Sequence, residues 1–234
     1  MTNIKIERLT FGYDQLGTLL FNDAKLTISA DWKLGLVGRN GRGKTTLLNL
    51  LSGKIPYQGQ IIHQLEMNYF PKQINDPNQL TYYALSENEE LEIWKIEREL
   101  TLLQCDLNVL WRPYSTLSGG EQTKVLLALL FLDDYSFPLI DEPTNHLDIK
   151  YQLEMLEIVR DAGVTVLMAV HDLNLASQFC HRLVALEKGR VVGTGTPKEL
   201  LTPEFIQNLY GVHSRIVEGP TEDSIHIIFT ETVK

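Results

Sequence analysis

The sequence predicts an α/β fold, a mainly parallel sheet built around a phosphate-binding loop, with an N-terminal antiparallel β layer and a small inserted helical subdomain. Three observations carry this. Gly38-Arg39-Asn40-Gly41-Arg42-Gly43-Lys44-Thr45 fits G-x-x-x-x-G-K-[ST], between the apolar run Leu34 to Val37 and a helical run from Lys44 to about Leu51. Beyond Leu117, apolar strands alternate with helical runs, a pattern that closes into a parallel sheet. Between Asn75 and Asn108 the chain turns polar and acidic, with Leu91, Trp94, Ile96, Leu100 and Leu103 at roughly helical spacing.

Composition limits the alternatives. The chain has 234 residues, a formal net charge of −9, 44% hydrophobic and 22% charged residues, an ordinary globular balance with room for one large or two small domains. The negative balance argues against a basic surface spread over the whole molecule, and no direct DNA binding is expected. Cys105 and Cys180 stand far apart without C-x-x-C spacing, which suggests neither a disulfide framework nor a zinc site. The apolar stretches Leu126 to Leu132 and Val164 to Val170 are too short to span a bilayer, and Met1 to Tyr13 carries charges where a signal peptide is apolar. A cytoplasmic protein is expected, with any membrane role reached through a partner.

In chain order, Ile4 to Tyr13, Lys25 to Ile28 and Lys33 to Val37 read as strands leading to the phosphate loop. Gly53 and Pro56 end the helix that follows, and Gly59 to His63 and Met67 to Phe70 read as two further strands. After the acidic segment, Leu117-Ser118-Gly119-Gly120-Glu121-Gln122 is a second glycine-rich turn opening a second helix, with an apolar run from Val125 to Leu132. Phe137 to Ile140 ends in Asp141-Glu142, a helix is expected around Leu153 to Arg160, and Thr165 to Val170 ends in His171-Asp172. From Arg182 the pattern is strand, Lys188-Gly189 turn, strand, then short helices introduced by Pro197 and Pro203. Val212 to Glu218 and Ile225 to Phe229 look like a terminal hairpin. In such sheets ligands sit beyond the carboxyl ends of the strands, where Gly38, Asp141 and His171 all fall.

The residue types at those ends imply chemistry. Glycines let backbone N–H groups turn inward around phosphate oxygens, and the next helix begins there with unpaired N–H groups and a positive dipole end. Lys44 is placed to reach the β- and γ-phosphates of a nucleoside triphosphate and Thr45 to ligate the accompanying Mg²⁺. An apolar strand ending in Asp141-Glu142 suits an aspartate that orients the metal and a glutamate that polarises an attacking water. His171 can hydrogen-bond a γ-phosphate and sense its loss, though an isolated histidine after a strand is more often ordinary packing. Gln73 can offer an amide oxygen to Mg²⁺, with Gln64 and Gln79 as competitors. Tyr13 can stack on a base or simply pack.

Together these motifs resemble the ATP-binding cassette (ABC) ATPases over nearly the whole chain, which implies a P-loop NTPase of ABC type. Gly38 to Thr45 resembles Walker A, Leu117 to Gln122 the signature turn, Asp141-Glu142 Walker B with its catalytic glutamate, Asn145 to Asp148 the D-loop, and His171 the switch histidine. Tyr13 resembles the adenine-stacking aromatic and Gln73 the Q-loop glutamine. The resemblance implies ATP and Mg²⁺ as cofactors and a head-to-tail dimer of two cassettes. Tyr13, Gly38, Asn40, Gly41, Gly43, Lys44, Thr45 and Thr46 of one copy would bind the nucleotide. Ser118, Gly119, Gly120 and Asp148 would serve it from the other. Glu142, His171 and Gln73 would be catalytic, and Thr45, Gln73 and Asp141 would hold the metal.

The finer resemblance divides. Thr10 to Glu142 resembles the ABC-F proteins, especially the antibiotic-resistance group acting on ribosomes, with Glu121 where transporters usually carry Gln. From Ile149 onward the chain resembles ATPase subunits of iron-siderophore, haem and cobalamin importers. The expectation is one nucleotide-binding domain over 1–234, with the helical subdomain at 74–116 and the C-terminal hairpin extension at 212–234. Its first reading is a subunit energising an importer permease for a metal chelate, held at the inner face of the cell membrane through that permease. A ribosome-associated ABC-F-like ATPase is the alternative. A third reading is a chimeric nucleotide-binding module with little turnover, which Pro138 inside the Walker B strand would permit. Trp94 and Trp111 are candidate anchors for a protein partner. The acidic run of Glu87, Glu89, Glu90, Glu92, Glu97 and Glu99 disfavours close approach to ribosomal RNA.

Overall fold

The structure, a computed structural model, describes residues 4–13, 17–29, 32–86, 91–132, 136–142, 148–161, 163–219 and 224–233. Residues 143–147, with most of the expected D-loop, lie outside the described residues, as do Asp31, Glu87, Glu89, Glu90 and the 220–223 hairpin loop.

Strands β1 (Ile4–Phe11) and β2 (Phe21–Ile28) pair antiparallel, and β4 (Gln58–Ile62) pairs antiparallel on the other edge of β1. Between them in sequence come β3 (Lys33–Val37) and helix α1 (Lys44–Leu51), and β5 (Glu66–Phe70) follows. The acidic segment folds as α2 (Thr81–Ser86) and α3 (Ile93–Leu102), then 3₁₀ turns at Leu107–Trp111 and Tyr114–Thr116. Its two ends are tied to each other: Thr81 N donates to Arg112 O at 2.9 Å and Ser115 N to Pro77 O at 2.7 Å. Ile96 and Leu100 of α3 are fully buried, but Trp94 is 56% exposed, so it lies off the apolar stripe on which the spacing had placed it.

Helix α4 (Gly119–Leu130) starts at the glycines, six residues before the apolar run, because Ser118 and Glu121 close a reciprocal cap on its first turn. Then come β6 (Ser136–Asp141), α5 (Ile149–Asp161), β7 (Val166–Ala169), α6 (Leu173–Phe179), β8 (Arg182–Glu187) and β9 (Arg190–Gly195). Pro197 and Pro203 open α7 (Pro197–Leu200) and α8 (Pro203–Tyr210), each behind a threonine cap, where a missing N–H costs no helical bond. The hairpin β10 (Val212–Glu218) and β11 (Ile225–Thr232) closes the chain.

The main sheet has the order β5-β6-β7-β3-β8-β9, parallel except for β9. Period-two alternation sorts its side chains cleanly. Leu36, Phe137, Leu139, Leu167 and Val184 face α1 and the antiparallel layer, whereas Val37, Ile140, Met168 and Ala185 face α4, α5, α6 and the hairpin. Pro138 sits in β6 opposite Asn68 of β5, and the ladder to β7 begins only at the next residue, Leu139. Pro138 therefore precedes the ladder to β7, and the strand runs on to Asp141.

Candidate functional site

Register brings the chemistry to one edge. Leu36 pairs with Ala169, which pairs with Asp141, so the ends of β3, β7 and β6 lie in one row. Gly38 follows the first, His171 the second, and Glu142 the third. Asp141 shares parity with Phe137 and Leu139 and so points to the α1 face, where Thr45 of the first turn donates to its Oδ1 at 3.0 Å. Tyr69 of β5 donates to Oδ2 at 2.8 Å. Burial, with the hydrogen bond and charge of Asp141, pushes the Tyr69 hydroxyl well above its ordinary pKa and keeps it a donor.

The loop itself is shaped for an anion. Gly38, Gly41 and Gly43 have positive φ, and a Cβ on Gly38 would stand 2.3 Å from the carbonyl oxygen of Leu186. Lys44 is 5% exposed, and its ammonium donates to the carbonyls of Gly38 (2.8 Å) and Arg39 (3.3 Å). Desolvation lowers its pKa, partly offset by Glu142 and Asp141. A buried cation held by neutral carbonyls, under a helix N-terminus, is a fit for phosphate oxygens.

A cavity of about 240 Å³ opens over this loop, lined by Tyr13, Leu20, Asn40, Gly41, Gly43, Lys44, Thr45, Thr46, Glu142 and His171. Except for Leu20, every one of these was singled out from sequence. The Tyr13 hydroxyl lies 3.1 Å from Thr46 Oγ1, and its ring packs edge-on to Phe11. Glu142 turns out of β6 with φ 49°, a left-handed conformation costing about 1–2 kcal/mol for a side-chain-bearing residue, and its Oε1 meets His171 Nε2. A carboxylate only accepts, so Nε2 carries the proton in this contact. Asp172 caps α6 by accepting from Asn174 N and Leu175 N, which fixes the chain direction directly after His171.

Other expected residues lie elsewhere. Gln73 is exposed on the loop after β5 and outside the cavity lining. Ser118, Gly119 and Gly120 form a second cluster at the start of α4, with the first two exposed and Gly120 pressed against Tyr151, whose ring a Cβ would meet at 2.7 Å. Asp148 accepts from Tyr151 N at 3.3 Å and caps α5 beside that turn. Glu121 is explained locally: its carboxylate takes the Ser118 N–H at 2.7 Å and pairs with Arg112 at 3.0 Å, contacts that lower its pKa. Besides Leu20, sequence reasoning missed Tyr69, and Lys54 whose ammonium sits 3.2 Å from the Tyr69 ring centroid. An aromatic in a strand and a lysine after a helix carry no local signal of such a contact.

Comparison with known proteins agrees with this geometry. Residues 21–145 match the family described as ABC transporter. The chain is 28% identical to the iron(3+)-hydroxamate import ATP-binding protein FhuC of Bacillus subtilis (strain 168), over 94% of this chain and 92% of that protein. It is 32% identical to the hemin import ATP-binding protein HmuV of Bordetella avium (strain 197N), over 87% and 90% respectively. Among solved structures, a metal-chelate type ABC transporter in an inward-facing conformation shares the fold with a TM-score of 0.80 at 22% identity, covering 100% of this chain and 99% of that one. From the loop, the strand-end acids and these matches it follows that the chain belongs to the ABC transporter family and is an ATP-binding, ATP-hydrolysing domain of that family.

Proposed function

We propose that this chain is the ATPase subunit of an importer for an iron chelate or haem, working as a head-to-tail dimer. The observation that carries the reading is the end-to-end match to import ATP-binding proteins. In the proposed cycle Lys44 leaves the carbonyls of Gly38 and Arg39 for phosphate oxygens, while the Gly41 and Gly43 backbone and the Thr46 hydroxyl cradle the remaining phosphates. Tyr13 borders both this cavity and an adjoining groove of about 730 Å³, a position suited to holding a base. Thr45 Oγ1 and Asp141 Oδ1, hard oxygens 3.0 Å apart, suit Mg²⁺. When bound, that ion supplies charge neutralisation at the phosphates. Glu142 takes the proton of the attacking water, and His171 holds Glu142 in register until the γ-phosphate competes for its imidazole. Gln73 joins the site when its loop closes over nucleotide.

Ser118, Gly119 and Asp148 serve the partner copy in this reading, since the exposed start of α4 offers a positive dipole end to a γ-phosphate outside its own chain. No helix among the described residues is long and apolar enough to cross a membrane, so attachment would run through a permease. Trp94, Trp111 and Tyr83, 56%, 47% and 55% exposed, are the proposed anchors for it. The test is Mg²⁺-dependent ATPase activity in the purified protein, together with light scattering on Glu142→Gln with Mg-ATP. Turnover in the wild type and an ATP-driven shift from monomer to dimer in the variant are expected. Wild-type protein without turnover, or a variant monomeric at every ATP concentration, would refute the reading.

A further inference from the structure

We propose that Tyr69 is a positioning residue for the metal-binding carboxylate: its hydroxyl, donated to Asp141 Oδ2 at 2.8 Å, fixes that carboxylate so that Oδ1 stays turned towards Thr45. The inference rests on the proposed role of Thr45 and Asp141 in holding Mg²⁺. Its basis is the register of β5 on β6. Tyr69 pairs with Leu139, and Asp141 lies two residues further along β6 on the same face, so the phenol reaches along the strand to the carboxylate. The ring is itself held, because Lys54, just past the end of α1, places its ammonium 3.2 Å from the ring centroid. Helix α1 thus engages the same carboxylate from both ends, through Thr45 at its start and, by way of Tyr69, through Lys54 beyond its finish. A carboxylate with one oxygen tied by a phenol keeps a single orientation, whereas one held only by Thr45 rotates when that hydroxyl turns to a metal. Partners of this kind contribute about 10–100-fold in metal affinity.

The experiment uses the full chain carrying Glu142→Gln, so that nucleotide binding is at equilibrium, and a fluorescent N-methylanthraniloyl ATP as probe. Binding is measured in EDTA and across a Mg²⁺ titration. Adding Tyr69→Phe, which keeps the ring and removes only the hydroxyl, should leave affinity in EDTA within about twofold and raise the half-saturating Mg²⁺ concentration about tenfold. Lys54→Met should shift it in the same direction by less. An unchanged Mg²⁺ midpoint in Tyr69→Phe overturns the proposal, and so does an equal loss in EDTA and in Mg²⁺, which would make the residue a packing element only. A parent protein with no Mg²⁺ response, also indifferent to Asp141→Asn, overturns the proposed metal site and this inference with it. The Asp141→Asn arm separates the two failures.

Discussion

Two glycines of the phosphate loop separate steric from torsional constraint. Gly38 has φ +147°, and a Cβ there would lie 2.3 Å from the carbonyl oxygen of Leu186, at least 0.7 Å inside the 3.0 Å that real Cβ atoms respect. The obstacle is backbone of β8, which pairs with β3 up to Val37↔Ala185 and with β9 on its other edge, so relief means moving a doubly paired strand. Strain at this φ adds about 1–3 kcal/mol and the overlap a similar amount, so Gly38→Ala should cost about 4 kcal/mol. For a chain of this length that lowers Tm by about 8–16 °C. Gly41 has φ +73° but nothing within 4 Å, so Gly41→Ala carries only the left-handed penalty of about 1–2 kcal/mol, a fall of about 2–8 °C. Thermal melts followed by circular dichroism compare the two. If Gly38→Ala melts within about 2 °C of wild type, or loses less than Gly41→Ala, the close approach of the loop to β8 does not constrain position 38.

Further predictions concern the site and its supports. Lys44→Ala should weaken ATP binding by about 10–100-fold, the loss of a charge-assisted contact, whereas Glu142→Gln should keep binding and lose about 10²–10⁴-fold in turnover; equilibrium binding and phosphate release distinguish them. Asn174 ties α6 to β11 by accepting from Ile227 N at 2.6 Å and donating to Ile227 O at 3.2 Å, so Asn174→Ala should cost about 2 kcal/mol in urea denaturation, and an unchanged midpoint would show the hairpin to be independently held. Cys180 is buried, and desolvation raises its thiol to about 12. The folded state then keeps a proton that the unfolded chain loses above about pH 8.5, so this thiol makes stability fall as pH rises from there towards 12. Thiol reagents at pH 8 should label Cys180 only on unfolding, and rapid labelling of the folded protein would contradict the burial. Ser118→Arg should abolish the ATP-driven dimer of Glu142→Gln in light scattering.

The parts of the fold written as local patterns were legible in sequence. Gly38 to Thr45 announces itself through residue types that a strand–loop–helix turn requires, and Pro197 and Pro203 mark helix starts because only a first turn tolerates them. Strand parity explains more: once Phe137 to Ile140 is a strand, Asp141 must share a face with Leu139, and the helix on that face carries Thr45 in its first turn. What could not be read depends on partners distant in sequence. Tyr69 meets Asp141 only through the β5–β6 register, and Trp94 leaves the apolar stripe of α3 because Ile96 and Leu100 set which face packs. Asp148 caps α5 within the single chain, a duty that any aspartate before a helix can hold, while its expected place at nucleotide depends on a second copy. Gln73 follows β5 on a loop, where strand periodicity does not fix the direction of an exposed side chain.

The most direct test of the account is where the closed protein goes in the cell. Affinity-tagged Glu142→Gln, released from lysed cells in Mg-ATP at physiological salt, is separated into membrane and ribosome fractions and its co-purifying proteins identified. An importer subunit should appear in the membrane fraction with a polytopic permease, and Trp94→Ala with Trp111→Ala should release it. Stoichiometric, ATP-dependent binding to ribosomes, with no permease recovered, would contradict the account.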